Sequence, residues 1–148
     1  MASQNKEDQL RRILYELQLM EGTAQVLQQR LQFLTNAQAE LRLSEQSLGD
    51  MKQLKQDTPL LVPVGGGAFI HAKTASLEKV IIGVGADVSI EMELPKALED
   101  VQKRLEEVEK TMTAVEEQLG QVLAQMQSHQ EVGNRLSAEL QGEATRVR

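Results

Sequence analysis

The chain has 148 residues, of which 41% are hydrophobic but only 2% aromatic, with one Tyr, two Phe and no Trp. A thick globular core would lack its usual bulky fillers, so this profile leans toward long helices and coiled coil. The net charge of −6, with no basic patch interleaved with aromatics, argues against nucleic acid as a partner, and the absence of cysteine excludes disulfides, thiolate metal sites and thiol nucleophiles.

The N-terminus carries no apolar signal core, and no apolar run approaches the roughly 20 residues of a membrane span. Neither secretion nor a membrane partner is expected, and the cysteine-free composition fits a reducing cytoplasm. Met1–Asn5 reads as a frayed lead, with Ser3 or Asn5 available as a cap. From Leu10 the apolar residues step by alternating threes and fours through Ile13, Leu17, Met20, Ala24, Leu27, Leu31 and Leu34. The seam continues through Leu41 and Leu48, with Gln38 and Glu45 in the alternate slots. A heptad sustained this long predicts a coiled-coil helix. Its end is expected near Gln56, because Pro59 pushes Thr58 out of the helical region.

Between Leu60 and Glu93 the helical period stops. Four short apolar runs (Leu60–Val64, Ala68–Ala72, Val80–Val84 and Val88–Met92) alternate with turn material at Gly65–Gly67, Lys73–Lys79 and Gly85–Asp87. Such runs, rich in Val and Ile and bounded by Gly and Asp, predict two consecutive β-hairpins. The segment is too short to bury a core alone, so its apolar faces require a partner.

A second helix opens at Leu94-Pro95, with proline at a first-turn position. Its seam runs Leu98, Val101, Leu105, Val108, Met112, Val115, Leu119, Val122, Met126, then falters at His129 and Gly133 before Leu136 and Leu140. The faltering predicts loosened packing there, and Gly142–Arg148 reads as a loose tail. Glu99–Lys103, Asp100–Arg104, Glu106–Lys110 and Glu131–Arg135 are four-apart pairs in the favourable order. The two helical flanks are of nearly equal length, about 65–70 Å at the usual rise. They are expected to pair antiparallel, bringing the chain termini together at one tip of the coil. The resulting class is α+β: a long antiparallel two-helix coiled coil with two β-hairpins inserted between the helices. The expected segments are residues 1–57 (first coil helix), 58–93 (hairpins) and 94–148 (second coil helix and tail).

The candidate chemical sites are weak. Gly65–Gly67 follows a strand, but the lysine and hydroxyl of a phosphate loop do not follow it, and Gly83-Val84-Gly85 lacks the third glycine and helix of a dinucleotide site. Hairpin turns and bulges account for both. His71 and His129 stand outside metal-ligand spacing, and nearly all of the 22 carboxylates fall on solvated helix faces. No enzyme activity, cofactor or metal is expected. Leu14, Leu19, Val26, Leu123 and Val132 fall outside the heptad slots. A two-stranded coil buries only a narrow stripe, so they either pack on another subunit or remain exposed as a binding surface.

The run Leu61-Val62-Pro63-Val64-Gly65-Gly66-Gly67-Ala68-Phe69-Ile70, followed by Val80-Ile81-Ile82-Gly83-Val84-Gly85-Ala86 and flanked by two heptad helices, closely resembles the α-class subunits of prefoldin in their archaeal form. The resemblance covers essentially the whole chain. It implies a hexamer of two α and four β subunits whose hairpins join into a double β-barrel body. It also implies an ATP-independent holdase that captures unfolded polypeptides at the coil tips and passes them to a group II chaperonin. Carried over by position, the oligomerisation residues would be Leu61, Val62, Val64, Phe69, Ile70, Val80, Ile82, Val84, Val88 and Ile90. The client-contacting residues would be Leu10, Ile13, Leu14, Leu17, Val132, Leu136 and Leu140. The competing reading is a structural coiled-coil scaffold, or a filament-forming relative, that transfers no client.

Overall fold

The computed structural model describes residues 1–147. In chain order the elements are α1 (Ala2–Met51), β1 (Pro59–Gly65), β2 (Ala68–Lys73), β3 (Lys79–Gly85), β4 (Val88–Glu93) and α2 (Leu94–Arg146). Two long helices with two antiparallel β-hairpins between them make an α+β chain, as the change of period predicts. They resolve into two compact units: Met1–Thr35 with the chain from Lys110 onward, and Asn36–Glu109.

The helix ends differ from the sequence expectation in three places. The first turn does not fray: α1 is helical from Ala2, with the Asn5 amide donating to the Met1 carbonyl at 3.1 Å. At its other end α1 stops at Met51 rather than near Gln56. There the Lys52, Gln53 and Leu54 amides bond three residues back, to Gly49, Asp50 and Met51, which tightens and closes the helix. The residues freed by this early stop are used by Thr74, a buried polar residue that the apolar pattern did not single out. Its hydroxyl donates to the Lys55 carbonyl at 2.8 Å and accepts from the Thr58 amide at 2.9 Å. The Thr74 amide bonds the Thr58 carbonyl, and its own carbonyl accepts from Asp57. A single hydroxyl thus fastens the entry of β1 to the exit of β2. The third difference is the tail, which is helical to Arg146, with the Thr145 hydroxyl donating to the Gln141 carbonyl. One glycine, Gly142, costs a helix only about 1 kcal/mol and does not stop it.

Each hairpin is a separate two-stranded sheet, β1 with β2 and β3 with β4. Their turns are built alike. Gly65 pairs with Ala68 and Gly85 with Val88, leaving the two-residue loops Gly66-Gly67 and Ala86-Asp87. All four loop residues have positive φ (57°, 79°, 51° and 58°), the left-handed turn that matches the natural twist of the strands. Each ladder slips by one residue just before its turn, between Pro63 and Gly65 and between Gly83 and Gly85. These glycines serve turns and bulges, as read from the sequence.

The hairpin unit has its own small core. Leu48 from α1 and Leu94, Ala97 and Val101 from α2 are buried together, with Leu41, Met51, Leu98, Val80, Ile82 and Met92 packed around them. Second-hairpin residues therefore rest on the helices, and Arg104 adds a 2.8 Å bond to the Gly83 carbonyl. In the other unit the core is thin, marked by Ala24, Val115 and Leu136. The pairing is antiparallel, as cross-helix contacts show: Lys6 with Glu143 and Glu16 with His129. Of the four intrahelical ion pairs expected, Glu99–Lys103 (3.1 Å) and Asp100–Arg104 (2.8 Å) form. Glu106–Lys110 and Glu131–Arg135 do not close, since a solvated pair gains too little to immobilise two long side chains.

The left-handed turns make a direct prediction. Gly67→Val, which places a β-branched side chain at positive φ, should destabilise the first hairpin by about 1–2 kcal/mol. Hydrogen exchange would then show faster β1 and β2 amides while the helical circular dichroism signal is retained.

Candidate functional site

The hairpins expose apolar residues on both faces. Leu61, Val64, Phe69, Ile70 and Val88 are each more than half exposed, and Val62, Val84 and Ile90 are 38–44% exposed. An isolated two-stranded hairpin is marginal in water, and every strand here has an open edge of unpaired backbone groups. Val80 and Ile82 differ from the rest of the set expected for oligomerisation. They are partly covered, because they pack on the Leu48–Leu94–Ala97–Val101 core of their own chain. Conversely, Ile81 is 74% exposed although it is not in that set. Alternation along β3 could have found it, since it lies on the face opposite Ile82.

The second candidate surface is the end of the coil where the two chain termini lie, and its seam does not loosen as expected. His129 fills its slot with polar contacts: Nε2 lies 2.8 Å from Glu16 Oε2 and Nδ1 lies 2.9 Å from the Gln125 carbonyl. Arg12 donates to the other Glu16 oxygen at 2.9 Å. Gly133 is buried, and a Cβ there would lie 3.4 Å from Ile13 Cγ2 and 3.9 Å from Leu10 Cδ1. The missing side chain lets the facing helix move in, so the packing is closed by a small residue rather than opened by it. Further along, Lys6 reaches both Glu139 and Glu143.

The seven residues expected to contact clients are divided by this closed seam. Leu136 is 6% exposed and belongs to the interior. Leu10, Leu14 and Leu17 line a shallow groove with Gln130, Gly133, Asn134 and Ser137, where small α2 residues leave a dent. Ile13, Val132 and the edge of Leu136 line a second groove with Gln9, Arg12, Glu16 and Arg135. Leu140 sits in a third, beside Ser3, Glu7 and Val147. Leu14 is the most open of the seven, at 55%. The arrangement offers apolar contact and little else. Among the described residues no group of three or more His, Asp or Glu side chains is placed to hold a metal ion, and no helix is long and apolar enough to cross a membrane.

Two long helices carrying a pair of open-edged hairpins, with apolar surface in place of a reactive constellation, define a subunit-type protein built for contact with other chains. The comparisons specify which. The family model described as "Prefoldin subunit" matches residues 20–139, and the chain belongs to that family. A prefoldin subunit alpha of Pyrococcus horikoshii is 32% identical over 105 residues, 70% of each chain. Those of Thermococcus onnurineus and Methanococcus aeolicus are 34% and 35% identical, over 66% and 65% of each chain. Among solved structures, a filamentous PFD from Methanocaldococcus jannaschii, determined by cryo-electron microscopy, superposes with a TM-score of 0.66. It is 24% identical, covering 76% of this chain and 93% of that one, and supports the fold. The chain accordingly has a prefoldin chaperone-type role.

Two predictions follow from the terminal end of the coil. Gly133→Ala should raise the melting temperature, gaining about 0.5–1 kcal/mol of helix propensity at a site where a methyl meets Ile13 at ordinary contact. Gly133→Leu should lower it by overpacking the same gap, by about 1–3 kcal/mol. The other prediction concerns pH. The Arg12 guanidinium, and then His129, hold the Glu16 carboxyl below its ordinary value of 4.5. A depressed carboxyl contributes stability that is complete above its ordinary range and is lost as pH falls through the lower folded value. The melting temperature of the chain should therefore fall with acid below that range, and Glu16→Gln should reduce that part of the slope.

Proposed function

We propose that this chain is the α-class subunit of an ATP-independent holdase: its hairpins assemble with β-class subunits into a β-structured body, and its coil ends hold unfolded polypeptides. The single observation that carries the reading is the state of the hairpins. Two separate sheets, apolar on both faces and open at every edge, demand β partners of the kind a double barrel supplies. The relatives named prefoldin subunit alpha support the same assignment. On this reading the assembly has two α and four β subunits, works in the cytoplasm, requires no nucleotide or metal, and releases its clients to a group II chaperonin. Leu61, Val62, Val64, Phe69, Ile70, Val84, Val88 and Ile90 serve assembly, with Val80 and Ile82 anchoring the second hairpin to its own helices. The grooves around Leu10, Leu14 and Leu17, around Ile13 and Val132, and beside Leu140 receive apolar client side chains. Leu136 holds the seam closed beneath them. Several shallow grooves acting together give avidity without sequence specificity.

The alternative is a filament-forming scaffold that transfers no client, favoured by the filamentous state of the M. jannaschii structure. Suppression of aggregation of a denatured protein, with a β-class partner and without ATP, separates the two readings. The parent complex should suppress aggregation, and long assemblies without suppression would favour the scaffold. Leu14→Ser should weaken suppression while leaving oligomer mass unchanged. Ile90→Asp, which buries a charge against the β partner at a cost of several kcal/mol, should yield smaller species in sedimentation with helicity retained. An oligomer indifferent to Ile90→Asp would mean that the hairpins do not hold it together.

A further inference from the structure

The histidine that joins the two helices at the terminal end of the coil has a proton requirement of its own. His129 Nδ1 lies 2.9 Å from the Gln125 backbone carbonyl, and Nε2 lies 2.8 Å from Glu16 Oε2. A carbonyl oxygen only accepts hydrogen bonds, and so does an ionised carboxylate. Glu16 is ionised at neutral pH, since Arg12 and then His129 hold its carboxyl below the ordinary range. Both ring nitrogens therefore face acceptors, and both contacts need an N–H. A neutral imidazole carries one N–H and an imidazolium carries two. Only the cation satisfies both contacts at once.

The matching charge comes from the facing helix. On α1, Glu16 meets the ring directly, and Arg12 bonds the other Glu16 oxygen at 2.9 Å. On α2, Glu131 and Arg135 are the nearest charged residues in sequence, and among the described residues neither forms an ion pair with the ring. Met126, Val132 and Gly133, within one turn of His129, carry no charge. The His129 and Glu16 side chains are 29% and 33% exposed, so their contact is screened less than that of a fully solvated pair.

We propose that His129 and Glu16 form a proton-dependent latch between α1 and α2. With two ring protons His129 ties the Gln125 carbonyl of its own helix to the Glu16 carboxylate of the other. On losing one proton it gives up one of the two bonds, together with the positive charge that faces Glu16. Glu16 then keeps only Arg12, from its own helix. Glu16 also lines the groove of Ile13, Val132 and Leu136, so release of the latch loosens one wall of that groove. The consequence for clients rests on the chaperone reading above, whereas the latch itself does not. A tie made by the cation stabilises the coil while the ring is protonated and is lost as pH rises through the imidazole range, near neutrality. It is lost again in acid, when Glu16 takes up a proton below the ordinary carboxyl range. The latch is closed between these two limits.

The test uses the full chain without client. Melting temperatures of the parent, Glu16→Gln, His129→Gln and the double variant give the coupling between the two side chains. Glutamine removes the titrating charge at either position and leaves a polar side chain of similar size. At about pH 5.5, where an imidazole is mostly cationic, the coupling should amount to about 1–4 °C, the scale of a partly shielded ion pair in a chain of this size. At about pH 8.5, where an imidazole is neutral, it should fall to less than half of that. Coupling that is absent at the lower pH, or equal at both, would overturn the proposal. The other histidine, His71, lies exposed on the first hairpin and cancels from the cycle. Hydrogen exchange, corrected for its intrinsic pH dependence, gives a second readout. Protection of the amides around Glu16 and His129 should drop between the two pH values in the parent and much less in His129→Gln. An equal drop in both would place the pH response in another group and sink the latch. The aggregation assay decides the chaperone reading separately: a parent with pH-dependent coupling that suppresses nothing keeps the latch and loses that reading.

Discussion

A pair of helices can bury only one stripe from each, and that limit governs what this chain hides and what it shows. With 2% aromatic residues there is little bulk to build anything thicker. In the unit containing the chain termini the interior comes down to Ala24, Val115, Leu136 and the half-buried seam residues beside them. Small residues let such an interior close. Gly133 admits Ile13 and Leu10, and Ala24 is itself among the buried residues. Each apolar residue off the seam then has nowhere to go but the surface, and the grooves at the terminal end of the coil and the exposed Tyr15, Leu19, Val26 and Phe33 of α1 are both made of that surplus.

In the unit that carries the hairpins the same shortage acts differently. Leu48, Leu94, Ala97 and Val101 form a cluster just large enough to seat Val80, Ile82 and Met92. It is not large enough to cover the rest of the strands. The first hairpin is held to the chain before it mainly by hydrogen bonds through Thr74, and its apolar side chains are left uncovered. A surface that is unfavourable for an isolated chain is suited to an assembling one, because association removes apolar area and unpaired strand edges from water together. The family to which the chain belongs consists of proteins described as subunits, in keeping with that physics.

Electrostatics plays a secondary, local part. Lys6 with Glu139 and Glu143, and Glu16 with His129, clasp the two helices, and Arg12 braces Glu16 from within α1. Glu143 chiefly, with Glu139, raises the Lys6 amine above its ordinary value, so this clasp holds until strongly alkaline pH. Such exposed pairs add little to overall stability.

Much of this was legible in the residues. Period alone separates helix from strand here, because side chains repeat every three to four positions in α1 and α2 and every two in β4. The turns could be read because Gly66-Gly67 and Asp87 are residue types that tolerate positive φ. What the sequence could not decide was which residue at a given position is covered. His129 and Gly133 look like flaws in a heptad, yet Glu16 and Ile13 on the other helix make them fit. Val80 and Ile82 look like Val84 and Ile90, yet only the first two meet the helical core. Leu136 and Leu14 are both leucines near the ends of their helices, one interior and one open. Local spacing determines secondary structure because its causes lie within a few residues. Burial depends on what a partner element brings from a hundred positions away, so only the tertiary structure decided it.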